Sequence, residues 1–272
     1  MPQAIALTIA GSDPSGGAGL QAGLKTVHQL GVVWTFQQLG VFGMSFVTLL
    51  TVQNSMGGSR VELVSPDLIV EQLSCVLNDI PPTAIKTGAL GSHLVVEHVA
   101  TALEHVECPI VVDPVLVSKH GHSLANDDVV VAYFESLLPL ATLITPNRFE
   151  AERLTGFPIL DEPSAMKAME RFHDRGVQNV LLKFGLSGEE MVNFLSLNGE
   201  CVRLTSSRLA FNNTHGTGCV LSAAIAAKLA SGELNLESAV SFGIARTHES
   251  IQVDIGIGHG IRPVDVRRMS RN

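Results

Sequence analysis

Short runs of β-branched and aliphatic residues alternate along the chain with longer segments whose apolar positions recur at helical spacing, and this alternation constrains the fold most. Parallel neighbouring strands need a crossover connection, and a helical crossover covers a face of the sheet. The pattern therefore predicts an α/β fold: a mostly parallel sheet with helices on both faces. The strand-like runs are Ala4–Ala10, Ser45–Val52, Ala84–Lys86, Ile110–Asp113, Leu143–Thr145 and Val180–Lys183. One helix is expected from the glycine-rich turn at 11–19 to about Leu30. Another should start at Ser65-Pro66-Asp67, where a capping hydroxyl, a first-turn proline and an acid near the positive dipole end coincide, and run to Asn78. Later the period changes. Met191–Leu197 and Glu200–Leu204 flank Asn198-Gly199, the signature of a two-residue hairpin, so an antiparallel edge is expected toward the C-terminus. No linker interrupts the pattern, which predicts a single domain over residues 1–272.

Composition removes several function classes. With 46% hydrophobic and 16% charged residues the chain can bury a core, and 18 basic against 26 acidic side chains, a formal charge of −8, leave no electrostatic footprint for nucleic acid. The stretch 32–52 is uncharged for long enough to span a bilayer, but Gln37, Gln38 and two glycines interrupt it, and buried strands produce the same runs; no membrane association is expected. Cys75, Cys108, Cys201 and Cys219 stand far apart without Cys-x-x-Cys spacing, and no basic-then-apolar leader is visible before the first strand-like run. Reduced thiols and a cytoplasmic location are expected.

The most informative segment is Thr214-His215-Gly216-Thr217-Gly218-Cys219, which runs into an alanine-rich helical stretch. Its glycines fall where backbone N–H groups point out of a helix N-terminus, and without Cβ atoms they let an anion approach the backbone. Cys219 in the first turn is either a thiol whose pKa falls from about 8.5 toward neutrality, and so a thiolate base, or an inert cysteine at a glycine cap.

Asn147 and Glu150, three apart after the strand-like run ending at Thr145, either hold magnesium largely through waters or form a capping box. Asp113 ends another strand-like run and is a candidate to join the metal shell. His120 and His122 have the spacing of a zinc pair but no nearby third ligand, and are read as loop residues. Within residues 11–19 the glycines miss the G-x-G-x-x-G spacing, and no G-x-x-x-x-G-K-[ST] loop occurs. Gly17 and its neighbours are read as a substrate wall, with Asp13 either its polar group or simply part of an Asp-Pro turn.

Taken in order, the decapeptide Ala10 to Gly19, Gln53-Asn54, Lys86-Thr87-Gly88, Val112-Asp113-Pro114-Val115, Thr145-Pro146-Asn147 with Glu150, Leu182-Lys183, Thr214 to Cys219 and Gly258-His259-Gly260 resemble the hydroxymethylpyrimidine/phosphomethylpyrimidine kinases of the ribokinase superfamily. The resemblance covers essentially the whole chain. It implies a three-layer ribokinase-like fold and ATP-dependent phosphorylation of a hydroxymethylpyrimidine and of its monophosphate in thiamine biosynthesis. By carry-over, Cys219 would be the base, Gly216, Thr217 and Gly218 the anion hole, and Asn147 and Glu150 the Mg2+ motif. Gln53 would read the pyrimidine, and Lys183 and Thr145 would lie at the nucleotide. A homodimer is expected on the same ground, and pyridoxal or pyridoxine kinase, or a non-catalytic pyrimidine-binding relative, are the alternatives. Gly23, Ala89 and Phe184-Gly185-Leu186 depart from the family's usual residues. Gln29-Leu30-Gly31-Val32 recurs nine residues later as Gln38-Leu39-Gly40-Val41, so residues 32–40 are expected to be a duplicated surface extension.

Overall fold

The computed structural model describes residues 3–31, 41–116, 126–210 and 213–270. The expected extension at 32–40, with Trp34 and Phe36, and the loop residues Lys119, His120 and His122 lie outside them.

Strand β1 (Ile5–Ser12) passes through helix α1 (Gly19–Gly31) to β2 (Phe42–Gln53), which turns back into β3 (Gly58–Leu63). Helix α2 (Pro66–Asp79), β4 (Ala84–Thr87), α3 (His93–Leu103) and β5 (Ile110–Val112) follow. Next come α4 (Asp127–Ala132), β6 (Leu143–Ile144), α5 (Arg148–Thr155), α6 (Glu162–Asp174), then β7 (Asn179–Ser187), β8 (Glu190–Leu197) and β9 (Glu200–Ser207). Helices α7 (Thr217–Ala230) and α8 (Leu236–Ile251) are the last described α-helices, and a 3-10 turn at Val266–Arg268 follows them.

The nine strands form one sheet in the order β3-β2-β1-β4-β5-β6-β7-β8-β9. Pairings from β2 through β7 are parallel, and β3, β8 and β9 add antiparallel edges on both sides. The edge at β8–β9 is the expected one, and its turn holds Asn198 at φ 50° and Gly199 at φ 92°, as a hairpin that follows strand twist requires. The edge at β3 was not expected: Val61 and Leu63 alternate with Arg60 and Glu62 over only four residues, and all four side chains are exposed, so the run has no buried face. Ser65 flanks α2 in extended backbone without a side-chain bond, so the expected hydroxyl cap is absent and Pro66 and Asp67 mark that start alone.

Period-2 alternation sends the parallel strands' side chains into two cores. Leu7, Ile9, Ile85, Ile110, Val112, Ile144 and Leu182 share one with residues of α2, α3, α5 and α6. Ala6, Ala84, Val111, Leu143 and Leu181 face the other, built with α1, α7 and α8. Helix α7 is buried almost all round, as its alanine-rich sequence allows. Strand order reverses between β1 and β4, and in such sheets the crevice beyond the strands' carboxyl ends is where ligands bind.

Candidate active site

Four adjacent strands carry polar side chains on the α7 face where their parallel pairing ends. Lys86, Asp113, Thr145 and Lys183 each stand two residues beyond Ala84, Val111, Leu143 and Leu181, so each continues the face its apolar predecessor occupies. Backbone pairing continues through this layer: Asp113 N–H donates to the Thr87 carbonyl, Thr145 N–H to that of Val112, and Lys183 N–H to that of Pro146. The four are thus placed by rigid backbone rather than by a loop.

Lys183 Nζ lies 2.9 Å from Asp113 Oδ1 and 3.9 Å from Glu150 Oε2. Thr145 donates its hydroxyl to Asp113 Oδ1 at 3.2 Å and Ser222 to Oδ2 at 3.3 Å. Burial alone would push the Asp113 carboxyl up, but the ammonium groups of Lys183 and Lys86 and these hydrogen bonds hold it below the usual carboxylate range. Glu150 goes the other way, to about 7: burial and the Asp113 charge outweigh Lys183 and the Asn147 N–H. Burial opposes the Lys183 charge, yet Asp113 and Glu150 hold its pKa above the ordinary lysine value.

Asn147 and Glu150 form a capping box at the start of α5. Glu150 N–H donates to Asn147 Oδ1 at 2.9 Å, and Asn147 N–H to Glu150 Oε2 at 2.7 Å. The cap does not remove Glu150 from the site, because the oxygen it uses is also the one nearest Lys183.

Gly216 caps α7 at φ 88°, a conformation that costs a side chain about 1–2 kcal/mol. A Cβ there would also meet the Gly17 carbonyl oxygen. Gly218 lies over the ionic cluster, its would-be Cβ 3.3 Å from Lys183 Nζ and 3.6 Å from Asp113 Oδ2. The first-turn N–H groups of α7 lack intrahelical acceptors and open onto this cationic surface, a place suited to phosphate oxygens. Cys219 is half-buried beside them, and the Gly19 N–H points at its sulfur. Its thiol is not lowered toward neutrality as its place in the helix predicts. Burial raises it and the nearby Asp113 charge adds to that, against the opposing Lys86, Lys183 and Gly19 N–H.

A second cluster ties the glycine loop after β1 to the loop before α7. Asp13 is 2% exposed and accepts from Ser15 N–H (2.9 Å), Ser15 Oγ (2.7 Å), Ala18 N–H (2.8 Å) and His215 Nε2 (2.8 Å). Burial would raise its pKa, but the bonds from His215, Ser15 and Gln53 hold it far below the usual carboxylate range. Gln21 accepts from the Asp13 N–H at 2.9 Å and donates to Ser12 Oγ. Gly17 packs against the His215 ring, where a Cβ would come within 2.4 Å of Cδ2.

The structure thus brings together Asp113, Glu150, Lys183, Gly218 and Cys219, and separately Asp13, Gly17, Gly216 and Gln53. Three expectations change. Asp13 lies inside the wall, its lone pairs taken by its own loops. Thr145 is fully buried and supports Asp113 instead of facing a nucleotide. Asn147 spends its side chain on the helix cap. Sequence reasoning named His215 within its most informative segment but missed its bond to Asp13, and it missed Ser222, a contact no local pattern reveals, and Lys86, whose signal was available: a lysine closing a buried strand two residues after an inward alanine. Among the described residues no three acidic, histidine or cysteine side chains converge on one point, and no helix is long and apolar enough to cross a membrane.

Residues 13–265 match the family model described as phosphomethylpyrimidine kinase. The hydroxymethylpyrimidine/phosphomethylpyrimidine kinase of Rhizobium meliloti is 41% identical over 263 residues, covering 94% of this chain and 95% of that protein. The thiamine biosynthesis bifunctional protein ThiED of Geobacter sulfurreducens is 41% identical over 266 residues, 97% of this chain, and the chain spans about half (52%) of that protein's length. Among solved structures, the pyridoxal kinase of Staphylococcus aureus in complex with ADP superposes with a TM-score of 0.88 at 32% identity, covering 98% of this chain and 95% of that one.

Proposed function

The chain belongs to the phosphomethylpyrimidine kinase family and is a phosphotransferase of ribokinase-like fold, and from that premise we propose how it works. It moves the γ-phosphoryl group of ATP to the hydroxymethyl of 4-amino-5-hydroxymethyl-2-methylpyrimidine, and then a second phosphoryl group to the resulting monophosphate. The observation that carries this reading is the convergence of Lys183, Asp113, Glu150 and the α7 N-terminus at the carboxyl ends of β5, β6 and β7. Phosphoryl transfer asks chiefly for positioning and for positive charge around the transferring oxygens.

Lys183 and the N–H groups of Gly218 and Cys219 face the phosphates, with Gly216 and Thr217 shaping that anion hole. Cys219 takes the hydroxyl proton. Gln53, at the end of β2 and half-buried beside Asp13, donates to and accepts from the pyrimidine edge. Asp13 and His215 keep the wall in place, and Gly17 keeps it flat.

The residues fit magnesium in the way that ion usually binds, through one or two carboxylates with waters and substrate phosphates completing the shell. Asp113 and Glu150 are buried acids with one ammonium between them, and they would hold it; Asn147 orients Glu150 through the cap. Bound there, the ion would offset negative charge on the ATP phosphates.

Pyridoxal is the second candidate acceptor, favoured by the superposition on the Staphylococcus aureus enzyme. Assays with ATP, Mg2+ and each of hydroxymethylpyrimidine, its monophosphate and pyridoxal decide. Turnover of both pyrimidines in excess of pyridoxal is expected, and turnover of pyridoxal alone overturns the assignment. A homodimer and a cytoplasmic location belong to the same reading. Exposed Leu50 and Val52 on one face of the β2–β3 edge, and Val61 and Leu63 on the other, support the first, and four unpaired cysteines the second. Sedimentation at micromolar concentration tests the dimer.

A further inference from the structure

The Gly258-His259-Gly260 run lies in the loop after α8, which the ion pair of Asp254 with Arg262 closes on itself. The tip of this loop clasps the turn between β2 and β3, two residues beyond Gln53. Ser55 Oγ accepts from the His259 N–H at 3.1 Å and the Gly260 N–H at 3.2 Å, and the Ser55 carbonyl accepts from the Ile261 N–H at 2.8 Å. The close approach dictates both glycines: a Cβ on Gly258 would come within 2.5 Å of Ser55 Oγ, and one on Gly260 would collide with the Ser55 carbonyl oxygen. The turn itself is braced, because Asn54 Oδ1 accepts from the Met56 N–H at 2.9 Å and the Gly57 N–H at 3.2 Å.

The same segment is tied at its far end to the loop before α7. The Arg262 carbonyl accepts from the His215 N–H at 3.0 Å, and the His215 carbonyl from the Val264 N–H at 3.2 Å, a short parallel pairing centred on Pro263. His215 immediately precedes Gly216, the cap of α7. Residues 258–264 therefore join the strand end that carries Gln53 to the helix end that carries Gly218 and Cys219. A second link runs through side chains, from Gln53 to Asp13 to His215. The one through 258–264 is built largely of main chain.

We propose that residues 258–264 are a strap that sets the distance between the ring-reading end of the acceptor pocket and its phosphoryl end, and that Ser55 is the positioning residue at which the strap is fastened. This rests on the kinase reading above. An acceptor held by its ring at Gln53 and by its hydroxyl at Cys219 reacts only when the two ends are spaced to fit it, and a misplacement of about 1 Å can cost about 10²-fold in rate. Neither end needs the strap for binding alone: a ring without the hydroxyl engages only Gln53, and ATP engages only the phosphoryl end.

Ser55→Ala removes the oxygen that the His259 and Gly260 N–H groups donate to, and Gly258→Ala presses a Cβ against it from the other side. In both variants kcat for hydroxymethylpyrimidine should fall by about 10- to 10²-fold. Inhibition by 4-amino-2,5-dimethylpyrimidine, which has the ring without the hydroxyl, and calorimetric affinity for a non-hydrolysable ATP analogue should each stay within about twofold of the parent. A matching loss of affinity for the ring-only compound overturns the proposal, because Ser55 would then only keep the Gln53 pocket in shape. An unchanged kcat overturns it as well. Hydrogen exchange without substrates gives a second reading: in Ser55→Ala the amides of 258–264 and of 215–217 should both exchange faster. Faster exchange confined to 258–261 overturns the strap, since its fastening would not reach α7. If the parent phosphorylates neither pyrimidine, the pyrimidine kinase reading fails; pyridoxal and 5-deoxypyridoxal then take the same places in the comparison, and the exchange pattern decides the strap in either case.

Discussion

Asp13 and Asp113 end two strands of the same parallel sheet, are 2% and 1% exposed, and are both held ionised against the cost of burial. Their surroundings differ in kind. Asp13 accepts from Ser15, Ala18 and His215 of two loops of its own chain and from Gln53 at the end of β2, so its own chain satisfies it. Asp113 sits among charges: Lys183 beside it, Lys86 unpaired nearby, and Glu150 raised to about 7. A buried polar network that is complete fixes geometry, whereas one with charge left over is poised for a ligand. The difference separates scaffold from chemistry more sharply than burial or glycine content does.

The largest effect that would sharpen this contrast comes from the charged side. Cys219→Ala should lower turnover of the hydroxymethyl substrate by about 10²–10⁴-fold while the melting temperature barely moves, because the sulfur props up no network. Stopped assays beside thermal melts check both halves. A small kinetic loss would leave the α7 N-terminus as an anion hole and remove the base.

Asp13→Asn probes the complete side and should do the reverse. An amide nitrogen would face donors and the His215 partnership would be lost, costing about 2–4 kcal/mol of stability. For a chain of this size that is a drop on the order of 5–15 °C. Retained stability with lost activity would move Asp13 into the catalytic group and erase the distinction.

How far these two regions could be read from sequence differs for a physical reason. The parallel core was legible because β-branched runs and helix starts are local, and the Asn198-Gly199 hairpin because two residues suffice to set it. The start of α7 at Gly216–Cys219 was legible for the same reason. Asp13 and His215 meet across 202 positions, so their bond exists only through the fold. Strand β3 forms because β2 offers it an open edge, with charged Arg60 and Glu62 pointing to water. The Cys219 thiol was read in the wrong direction because a helix N-terminus can be counted in a sequence and desolvation cannot. Asn147 and Glu150 left two readings open, and the geometry keeps part of each: the cap forms, and its carboxylate still faces Lys183.

Glu150 supplies a pH test of the charged region. Its folded pKa of about 7 lies above the ordinary 4.5, so the folded protein binds that proton more tightly than the unfolded chain does. Stability without ligands should therefore fall as pH rises from about 4.5 to 7, by up to about 3 kcal/mol. Asp113 has the opposite sign, but its window lies below the ordinary 3.8 and leaves pH 5–8 to Glu150. Glu150→Gln keeps an oxygen for the Asn147 cap and should melt higher than the parent at pH 8, with no difference near pH 4. Melts at the two pH values check it, and a variant that is less stable at pH 8 would show that the carboxylate is well paired even without a ligand.

Gln53 stands between the two regions and should give the smallest effect. Its amide helps hold Asp13 ionised, yet it sits half-buried at the strand end where an acceptor ring would lie. If reading the ring is its main work, Gln53→Leu leaves polar groups of the pyrimidine unpaired and weakens its binding by about 1–2 kcal/mol, with ATP affinity and the melting temperature nearly unchanged. If it belongs to the scaffold, the same substitution removes one of several donors to Asp13 and lowers the melting temperature without touching pyrimidine affinity. Calorimetric titration with hydroxymethylpyrimidine and with a non-hydrolysable ATP analogue, run beside a thermal melt, separates the outcomes. Equal pyrimidine affinity in the two proteins would place Gln53 with Asp13 and His215, and the substrate-facing surface would then have to begin at Gly218 and Cys219.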